Sequence, residues 1–469
     1  MKVKIGLETH VQLNTMSKAF CGCRNPVKLS DEPEPNTLVC DTCIGLPGSK
    51  PRANRAMVEQ AIKVALALDC RIAGETYFSR KTYFYPDMGK NFQITQYEVP
   101  IASGGHVPLG SKRIRIRRVH MEEDPSRIVH VGGLGGKHTL LDYNRAGIPL
   151  IEIVTEPDFS SPEEARDFLH KLTTILEYLG VYDSSSRAVL KSDANISLAG
   201  GKRVEVKNIT GTKEIEQALK FEIFRQQNLL RRGGRIDQST RTWDPETRTT
   251  RELRAKETEE DYGYIMEPDL TVLDITREQV SRTRKSLPEL PDQKHARFVR
   301  QFRLEPKVAE ALVSELDLAN LFEDVARKVS PRLASTWIAG YLKKTLNYNG
   351  IRFRDSSLKP EWIASLLRML HRGELTDRNA ELAIRRMVED RKGPEDVMKR
   401  HGIGRKIPLK GEDLAGSVEK VLKSNPRAVQ DYNSGEEKAL HFLVGLAMRE
   451  TRGQVDANDL RKLILRLIK

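Results

Sequence analysis

The chain has 469 residues and a mass of 53.2 kDa, a length that exceeds one compact domain and corresponds to roughly two to four. Hydrophobic residues make up 39 % and charged residues 30 %, and no apolar run approaches the roughly 20 residues that span a bilayer, so we expect no membrane association. Met1 leads directly into a strand-like pattern, so we expect neither a signal nor a transit peptide and a cytoplasmic protein.

The net charge of +13 is unevenly placed. From Lys294 onward there are 35 Lys and Arg residues against 24 Asp and Glu residues, a surplus of +11, which leaves only +2 for the first 293 residues. This asymmetry favours a near-neutral reaction module joined to a module that holds a polyanion, with nucleic acid as the partner. The alternative is a surplus that only keeps helices soluble.

The first predicted strand is Lys4 to Leu13, where apolar and polar residues alternate. The alternation places Glu8 and His10 on the same face of the strand. Such a pair can share a metal ion or fix each other's protonation state, whereas the alternative is the exposed polar face of an edge strand.

Four of the five cysteines fall in two close pairs, Cys21 with Cys23 and Cys40 with Cys43, separated by sixteen residues. Two short turns can bring four thiolates to the corners of a tetrahedron, as a structural zinc ion requires. Two disulfides are the alternative, which a cytosolic chain disfavours. Cys70 lies in an apolar helical pattern, and we predict a core position for it.

Aromatic residues follow a basic pair between Arg80 and Asp87. Tyr83, Phe84 and Tyr85 could stack on a nucleotide ring or could form the edge of an aromatic core, and the sequence alone leaves both open.

A predicted strand from Arg113 to His120 ends in Glu122, Glu123 and Asp124. Carboxylates this close repel one another, and a divalent cation with oxygen ligands, such as Mg²⁺, relieves the repulsion. The glycine-rich segment from Val131 to His138 lacks the first glycine and the Ser or Thr of a phosphate-binding P-loop, so we predict a hairpin connection there.

The segment from Asp142 to Asp158 contains an apolar, β-branched run that predicts a buried strand with Glu152 at its centre. A buried carboxylate needs a partner, and Arg145 is close in sequence. The alternative is a half-exposed strand with a solvated Glu152.

Further along the chain, Ser161 and Pro162 predict a helix start, and residues 191–197 and 203–208 predict two paired strands. Thr212 to Arg232 predicts a second helix, and beyond about Pro291 the pattern is helical. We therefore predict an α+β fold whose mostly antiparallel sheet has helices on one side, followed by an all-α domain and a small all-α tail. The predicted domains are 1–293, with a zinc-binding insertion at 21–43, then 294–405 and 406–469.

Seven motifs occur together and in order: GLETHVQL, CxC with CxxC, RKTYFYPD, HMEED, DYNRAGIPLIEIVTEPD, SDANIS and VEVKN. Over nearly the whole chain this combination closely resembles the GatB family, the B subunit of the tRNA-dependent amidotransferases. The last sixty or so residues are similar to the YqeY-like tail of that family, and we expect this tail to bind tRNA.

The resemblance implies an activity. Members of the family bind misacylated Asp-tRNA(Asn) or Glu-tRNA(Gln) and phosphorylate the side-chain carboxylate of its amino acid with ATP and Mg²⁺. Ammonia, produced from glutamine by a glutaminase A subunit, then displaces the phosphate, and a small C subunit completes the heterotrimer.

The resemblance also implies site residues. The acidic site that holds metal and nucleotide corresponds to Glu8, His10, one or both of Glu122 and Glu123, Glu152, Asp193 and Glu205. Within this set the predicted Mg²⁺ ligands are Glu8, His10, Glu123 and Glu152. Arg145 and Lys207 would complement phosphates or acids, Tyr83 and Tyr85 would shape the pocket, and Cys21, Cys23, Cys40 and Cys43 match the family's zinc site. Where bacterial members carry an arginine-containing YRYFPEPD, this chain has DYGYIMEPD at 261–269, so a role for that arginine cannot be transferred.

If Asp193 and Glu205 serve one metal site, their side chains must share a face of the hairpin. This requires an odd number of loop residues, most simply Ala199 to Gly201. The predicted register then sets Asn195 opposite Glu205 and Asp193 opposite Lys207.

Two other classes of protein compete with this assignment. The related archaeal E subunit carries a large inserted domain for which this chain has no room. A tRNA-binding scaffold without catalysis would not need the acidic residues.

Overall fold

The computed structural model describes residues 2–131, 138–198, 201–254, 263–405 and 412–468. The chain forms two compact units, Met1–Leu290 and Pro291–Lys469. The predicted three-part division of the chain stays a prediction.

All sixteen strands of the described residues lie in the first unit. In chain order they are β1 Val3–Gln12, β2 Arg71–Ile72, β3 Glu75–Thr76, β4 Ser79–Thr82, β5 Phe92–Thr95, β6 Ala102–Leu109, β7 Lys112–Glu123, β8 Arg127–Val131, β9 His138–Asp142, β10 Pro149–Thr155, β11 Leu190–Leu198, β12 Val204–Thr210, β13 Ser239–Asp244, β14 Thr249–Arg254, β15 Ile265–Met266 and β16 Leu273–Asp274.

Helices occur in both units: of the α-helices in the described residues, the first five lie in the first unit and the other twelve in the second. In chain order they are α1 Asp41–Ile44, α2 Arg55–Ala67, α3 Pro162–Tyr178, α4 Thr212–Arg231, α5 Arg277–Lys285, α6 Pro291–Phe302, α7 Pro306–Val313, α8 Leu316–Ala326, α9 Pro331–Ser335, α10 Lys343–Tyr348, α11 Pro360–His371, α12 Asp377–Asp390, α13 Pro394–His401, α14 Glu412–Ser424, α15 Pro426–Asn433, α16 Glu437–Glu450 and α17 Ala457–Leu467, with a π-helix at Thr336–Leu342 and 3₁₀ turns at Pro26–Lys28 and Phe353–Asp355.

Within the described residues, nine strands form the principal sheet in the order β14-β13-β12-β11-β1-β10-β7-β6-β2. Neighbouring strands in it are antiparallel except β12 and β13, which are parallel. The α+β class, the mostly antiparallel sheet and the helical C-terminal region are confirmed. β15, β4 and β5 form a smaller sheet.

The principal sheet has one apolar and one polar face around β1. Ile5, Leu7 and Val11 are fully buried in the core of the first unit, as the alternation of β1 predicted. Residues of α2, α3 and α4 contribute to the same core. The opposite face of β1 carries Glu8 and His10, because successive side chains of a strand point to opposite sides. We call this second side the polar face.

Helix α3 shows how local sequence sets an element in place. The Ser161 hydroxyl accepts a hydrogen bond from the Glu164 backbone N–H, and Pro162 occupies the first turn, as predicted. The buried stripe of Phe168 and Leu172 faces the core. Gly180 follows the helix with φ of 68°, a conformation that glycine adopts without strain.

The hairpin of β11 and β12 has most of the predicted register. Asn195 lies opposite Glu205, which confirms that part of the prediction. Asp193 does not pair singly with Lys207, because the register shifts between Ser192 and Ala194. A β-bulge places Lys207 and Asn208 opposite Asp193, with Asn208 at φ of 63°. The predicted loop residues Ala199 and Gly200 lie outside the described part of the chain.

The glycine-rich segment is flanked by β8 and β9, which pair in antiparallel fashion with Val131 opposite His138. Residues 132–137 of the predicted hairpin loop lie outside the described part. The second unit contains two separate hydrophobic cores, one formed by residues between Phe298 and Ile403 and one by residues between Leu414 and Ile464. Among the described helices, none is long and apolar enough to cross a membrane.

Candidate active site and cysteine cluster

The central strands of the principal sheet bring distant parts of the sequence together on the polar face. Pairs across β11, β1, β10 and β7 place Lys191 opposite His10, His10 opposite Glu152, and Glu152 opposite His120. In the adjacent row Glu8 lies between Asp193 and Val154. Because these neighbours are set by strand pairing, residues more than a hundred positions apart become adjacent.

His10, Glu152 and His120, together with Glu122 two residues after His120 on β7, form what we call the His–Glu cluster. The His10 Nε2 atom lies 3.4 Å from Glu152 Oε2 and 3.8 Å from Glu122 Oε2. The His120 Nε2 atom lies 3.1 Å from Glu122 and 3.0 Å from Glu152. Ligand atoms of His10, Glu122 and Glu152 all lie within 4.8 Å of one another, so one cation could contact all three.

The protonation equilibria of the cluster are strongly shifted. Although burial opposes it, the neighbouring carboxylate of Glu152 raises the pKa of His10 to about 10 and that of His120 to about 9. In turn the two histidines hold the pKa of Glu152 well below its usual value despite burial. Without a metal ion the cluster therefore balances carboxylates with imidazolium charges.

Glu122 is fixed further by two side chains of β5. The Thr95 hydroxyl donates to Glu122 Oε1 at 2.8 Å, and the Gln93 amide donates to Glu122 Oε2 at 3.3 Å. Burial opposes ionisation, but the hydrogen bond with His120 leaves the pKa of Glu122 lowered. A carboxylate held by several donors is preorganised to bind a cation.

A second set of charges, which we call the carboxylate–lysine group, adjoins the cluster on the polar face and consists of Glu8, Asp193, Glu205 and Lys207. The Lys207 Nζ atom lies 3.5 Å from Asp193 and 3.3 Å from Glu205. The Asn195 amide donates to Glu8 at 2.7 Å. Burial and then the charge of Glu152 raise the pKa of Glu8, so the two sets are electrostatically linked.

The remaining acids of the HMEED motif have other partners. Glu123 is buried, forms an ion pair with Lys90 and accepts a hydrogen bond from the Ile94 backbone N–H at 3.0 Å. Asp124 accepts hydrogen bonds from the Nε and Nη2 atoms of Arg145, each at 2.6 Å. The structure thus brings Glu122, and not Glu123, to His10 and Glu152, and it pairs Arg145 with an acid.

Tyr83 lies near these acids and Tyr85 is more exposed. Burial, followed by the charges of Asp87 and Glu122, raises the pKa of Tyr83. The two tyrosine rings have centroids 6.1 Å apart, and Tyr85 is 49 % exposed. An aromatic side chain at the edge of the polar face is compatible with the predicted pocket role, which stays a prediction.

The segment that departs from the family pattern is partly described. Asp261 and Tyr262 lie outside the described residues. The Tyr264 ring stacks on Tyr97 with centroids 3.9 Å apart, and the fully buried Glu267 accepts two hydrogen bonds from Arg80, at 2.7 and 2.9 Å. This segment is therefore anchored to β4 by a bidentate ion pair.

The cysteine cluster, formed by Cys21, Cys23, Cys40 and Cys43, is assembled as predicted from two short turns. Its four sulfur atoms lie within 4.8 Å of one another, and all four residues are free thiols. The Cys43 sulfur lies 3.4 Å from that of Cys21 and 3.7 Å from those of Cys23 and Cys40. A tetrahedral zinc ion with bonds of about 2.3 Å sets its sulfur ligands about 3.8 Å apart, so the cluster fits this ion.

A buried lysine accompanies the thiols. Lys18 is 0 % exposed, and its ammonium donates to the Leu38 carbonyl at 2.7 Å and to Cys43 Sγ at 3.5 Å. A hydrogen bond from Cys21 lowers the pKa of Cys43 to about 4 against the effect of burial, and the Lys18 charge contributes in the same direction. These contacts therefore stabilise the thiolate of Cys43, the form of cysteine that binds metal, whereas burial and the neighbouring sulfurs raise the pKa of Cys21 and Cys23.

Comparison with known proteins decides the family. The profile of the GatB/GatE catalytic domain matches residues 3–281, and the GatB domain profile matches residues 320–468. A protein of Methanoregula boonei, named as the B subunit of aspartyl/glutamyl-tRNA(Asn/Gln) amidotransferase, is 45 % identical, over 100 % of this chain and 98 % of the relative. The chain belongs to the GatB family.

Other GatB proteins match over similar lengths. Those of the same name from Methanococcoides burtonii and Carboxydothermus hydrogenoformans are 43 % and 42 % identical, over 100 % and 98 % of this chain and 98 % and 97 % of their own lengths. This GatB chain is accordingly a subunit of an amidotransferase, an enzyme of the ligase class.

Reasoning from the sequence missed two residues of this GatB chain that the structure places in or against the clusters. His120 contacts both Glu122 and Glu152. Its position two residues before Glu122 on one strand could have revealed this, because residues two apart on a strand share a face. Lys18 contacts the cysteine cluster from a position three residues before Cys21, where nothing in the sequence indicates burial of its charge.

Proposed function

We propose that this GatB chain activates the side-chain carboxylate of aspartate or glutamate attached to the wrong tRNA, Asp-tRNA(Asn) or Glu-tRNA(Gln). A carboxylate oxygen attacks the γ-phosphorus of ATP, ADP leaves, and an acyl phosphate forms. Ammonia then attacks the carbonyl carbon, a C–N bond forms, and phosphate leaves. The ammonia would come from glutamine, hydrolysed by a glutaminase A subunit that acts with a small C subunit in the cytoplasm.

The observation that supports this proposal most directly is the His–Glu cluster beside the carboxylate–lysine group on one face of the sheet. Phosphoryl transfer needs positioning and charge neutralisation more than a protein nucleophile. His10, Glu122 and Glu152 would hold a divalent ion such as Mg²⁺, for which carboxylate oxygens are suitable ligands. When bound, such an ion neutralises charge on phosphate oxygens during the transfer.

The chain's own residues have distinct parts in this proposal. His120 would keep Glu122 and Glu152 in place through its Nε2 atom. Glu8, Asp193 and Glu205, with Lys207 between the last two, would form the wall of the nucleotide site. The cysteine cluster would hold a structural zinc ion, because four sulfur ligands leave no open coordination position for substrate.

The basic surplus beyond Lys294 supports tRNA binding by the second unit, including the tail from residue 406. Lysine and arginine side chains bind phosphate backbones irrespective of sequence. Deleting the tail should weaken tRNA binding and reduce its salt dependence, with the logarithmic slope falling by about 0.7 to 0.9 for each phosphate that is no longer bound.

The decisive experiment combines the full chain and its glutaminase partner with ATP labelled at the γ-phosphate and each of Asp-tRNA(Asn) and Glu-tRNA(Gln). Formation of ADP should require misacylated tRNA and should not occur with deacylated tRNA. Hydroxylamine in place of glutamine should trap the activated carboxylate as a hydroxamate. A tRNA-binding scaffold would bind the same tRNAs and release neither ADP nor hydroxamate, which would refute the proposal.

A further inference from the structure

Two basic side chains on the polar face, Lys191 and Arg118, differ from the other cations near the clusters. Lys207 is paired with Asp193 and Glu205, Arg145 with Asp124, and Lys90 with Glu123. Within the described residues, Lys191 and Arg118 take part in no ion pair and no side-chain hydrogen bond. Partly buried cations without acid partners have an unfavourable solvation energy, which an anionic ligand can offset.

Lys191 lies on the β11 side of the His–Glu cluster. Strand pairing sets it directly opposite His10, two residues before Asp193 on the same strand and the same face. The side chain is half-buried. Among the described residues, its ammonium has no acid within ion-pair distance, although it lies beside the His–Glu cluster.

Arg118 lies on the opposite side of the cluster, on β7. Arg118 pairs with Val154, and the register shifts beyond this pair, so that Ile116 lies opposite Thr155. Arg118 points to the same face as His120, which follows it by two residues on the strand. The apolar residues that follow it on the other face, Val119 and Met121, are fully buried in the core. The Nε atom of Arg118 is buried and has no hydrogen-bond partner among the described residues. A guanidinium donor left open in this way is available to a ligand.

The strand order fixes the relation between the two cations. β11, β1, β10 and β7 are consecutive neighbours, so Lys191 and Arg118 flank the residues that could hold a divalent ion. The substrates of the proposed reaction carry oxyanions on both sides of the reacting centre, phosphate oxygens of the nucleotide and the carboxylate of the amino acid. Both are acceptors that lysine and arginine bind with charge-assisted hydrogen bonds.

We propose that Lys191 and Arg118 bind the oxyanions of the substrates on the two sides of the His–Glu cluster. This inference rests on the proposed function. Phosphate and carboxylate share the chemistry that these two side chains recognise, and binding measurements with two different ligands distinguish them.

The test uses the full chain and the single variants Lys191→Met and Arg118→Met, which retain length and remove charge. One arm measures the affinity for a non-hydrolysable ATP analogue with Mg²⁺. The other compares the affinity for misacylated tRNA with that for the same tRNA deacylated. Loss of a charge-assisted hydrogen bond should weaken one of the two affinities about tenfold or more.

Matched control variants distinguish the loss of a direct contact with the ligand from the general effect of removing a positive charge. Lys4 lies on β1, two positions before Gly6 and on the same face as Glu8, and it is exposed. Arg117 is the exposed neighbour of Arg118. Lys4→Met and Arg117→Met remove the same charges and should change both affinities less than about twofold, since an exposed charge far from the ligand is screened by salt. The conservative variants Lys191→Arg and Arg118→Lys should recover part of the loss, which shows that the fold is intact.

The possible outcomes are distinct. Weaker binding of the nucleotide analogue assigns the residue to phosphate, and a loss confined to the difference between misacylated and deacylated tRNA assigns it to the carboxylate. The inference is overturned if Lys191→Met and Arg118→Met bind both ligands with wild-type affinity, or if the control variants lose as much affinity as they do. The proposed function still stands in either case, provided that the wild-type chain forms ADP. A wild-type chain that neither binds the analogue nor forms ADP overturns the proposed function and this inference with it.

Discussion

The cysteine cluster and the His–Glu cluster are two candidate metal centres built in opposite ways. The four thiols come from 23 consecutive residues on two short turns, and the ligand atoms are one chemical type. The His–Glu cluster collects His10, Glu122 and Glu152 from three strands, and the ligand atoms are of two types. The cysteine cluster is formed by residues close in sequence, and its sulfur ligands are soft. The His–Glu cluster is assembled by strand pairing, and its nitrogen and oxygen ligands are harder.

Their charge balance differs as well. In the cysteine cluster one buried ammonium, that of Lys18, contacts the sulfur of Cys43, so four thiolates would need a metal ion to neutralise most of their charge. In the His–Glu cluster His10 and His120 supply two positive charges to two carboxylates. If both centres bind metal as proposed, we expect the first to depend on its ion for stability and the second, whose charges balance without one, to exchange its ion more readily.

The largest expected effect is the loss of bound zinc in Cys43→Ser. The Cys43 sulfur lies within 3.7 Å of each of the other three, and a hydroxyl is a poor ligand for zinc. Metal analysis should fall from one zinc per chain to nearly none, and the melting temperature should drop by about 5 to 10 °C, as loss of a few kcal/mol in a domain of this size implies. Cys70→Ala, at a buried thiol outside the cluster, should keep its zinc. A full complement of zinc in Cys43→Ser would contradict the assignment.

The second prediction addresses the His–Glu cluster. Glu152→Gln removes the carboxylate that contacts both His10 and His120. If an ion held here contributes several kcal/mol to phosphoryl transfer, ADP formation should fall about 10²- to 10³-fold. The rate is measured at saturating ATP and misacylated tRNA. Glu156→Gln, just beyond the same strand, should retain the rate, and a Glu152→Gln rate close to that of wild type would exclude the cluster from the chemistry.

The third prediction tests the role of Lys18. Lys18→Met keeps the length of the side chain and removes the charge beside Cys43. Outer contacts of metal ligands typically change affinity by about 10- to 100-fold, so zinc should be lost to a competing chelator at correspondingly lower chelator concentration. Lys28→Met removes an exposed lysine from the same segment and should behave as wild type. Zinc affinity that does not change would show that Lys18 only fills space.

The smallest expected effect is the number of protons released when the cluster binds a metal ion. His10 has a pKa of about 10 without metal, so it is protonated at neutral pH and must lose its proton to bind an ion. Binding of Mg²⁺ at about pH 8 should release about one proton, and apparent affinity should rise with pH until it levels near pH 10. Calorimetry in buffers with different ionisation enthalpies measures the release. His10→Asn should reduce the release, because only the proton of His120 would then be displaced from the cluster, and binding by the wild type without proton release would place the ion elsewhere.

Much of the first unit could be predicted from the sequence because its signals are local. The alternation from Lys4 to Leu13 identified the buried face of β1, since every second side chain of a strand faces the same way. Ser161 and Pro162 marked the start of α3, because a cap acts on backbone groups within one turn. The paired cysteines predicted a cluster because short turns hold residues close whatever the rest of the chain does.

The tertiary structure alone decided which groups meet. The sequence could not choose between Glu122 and Glu123, because that choice depends on β10 lying between β1 and β7 and on Lys90 pairing with Glu123. The bulge opposite Asp193 was missed, although it is visible in the apolar spacing, which changes from two residues between Val204 and Val206 to three between Val206 and Ile209. Lys191 and Arg118 have neighbours set by strand order and register shifts. A periodic pattern fixes the face of a side chain within its own strand, and only long-range pairing fixes what lies beside it.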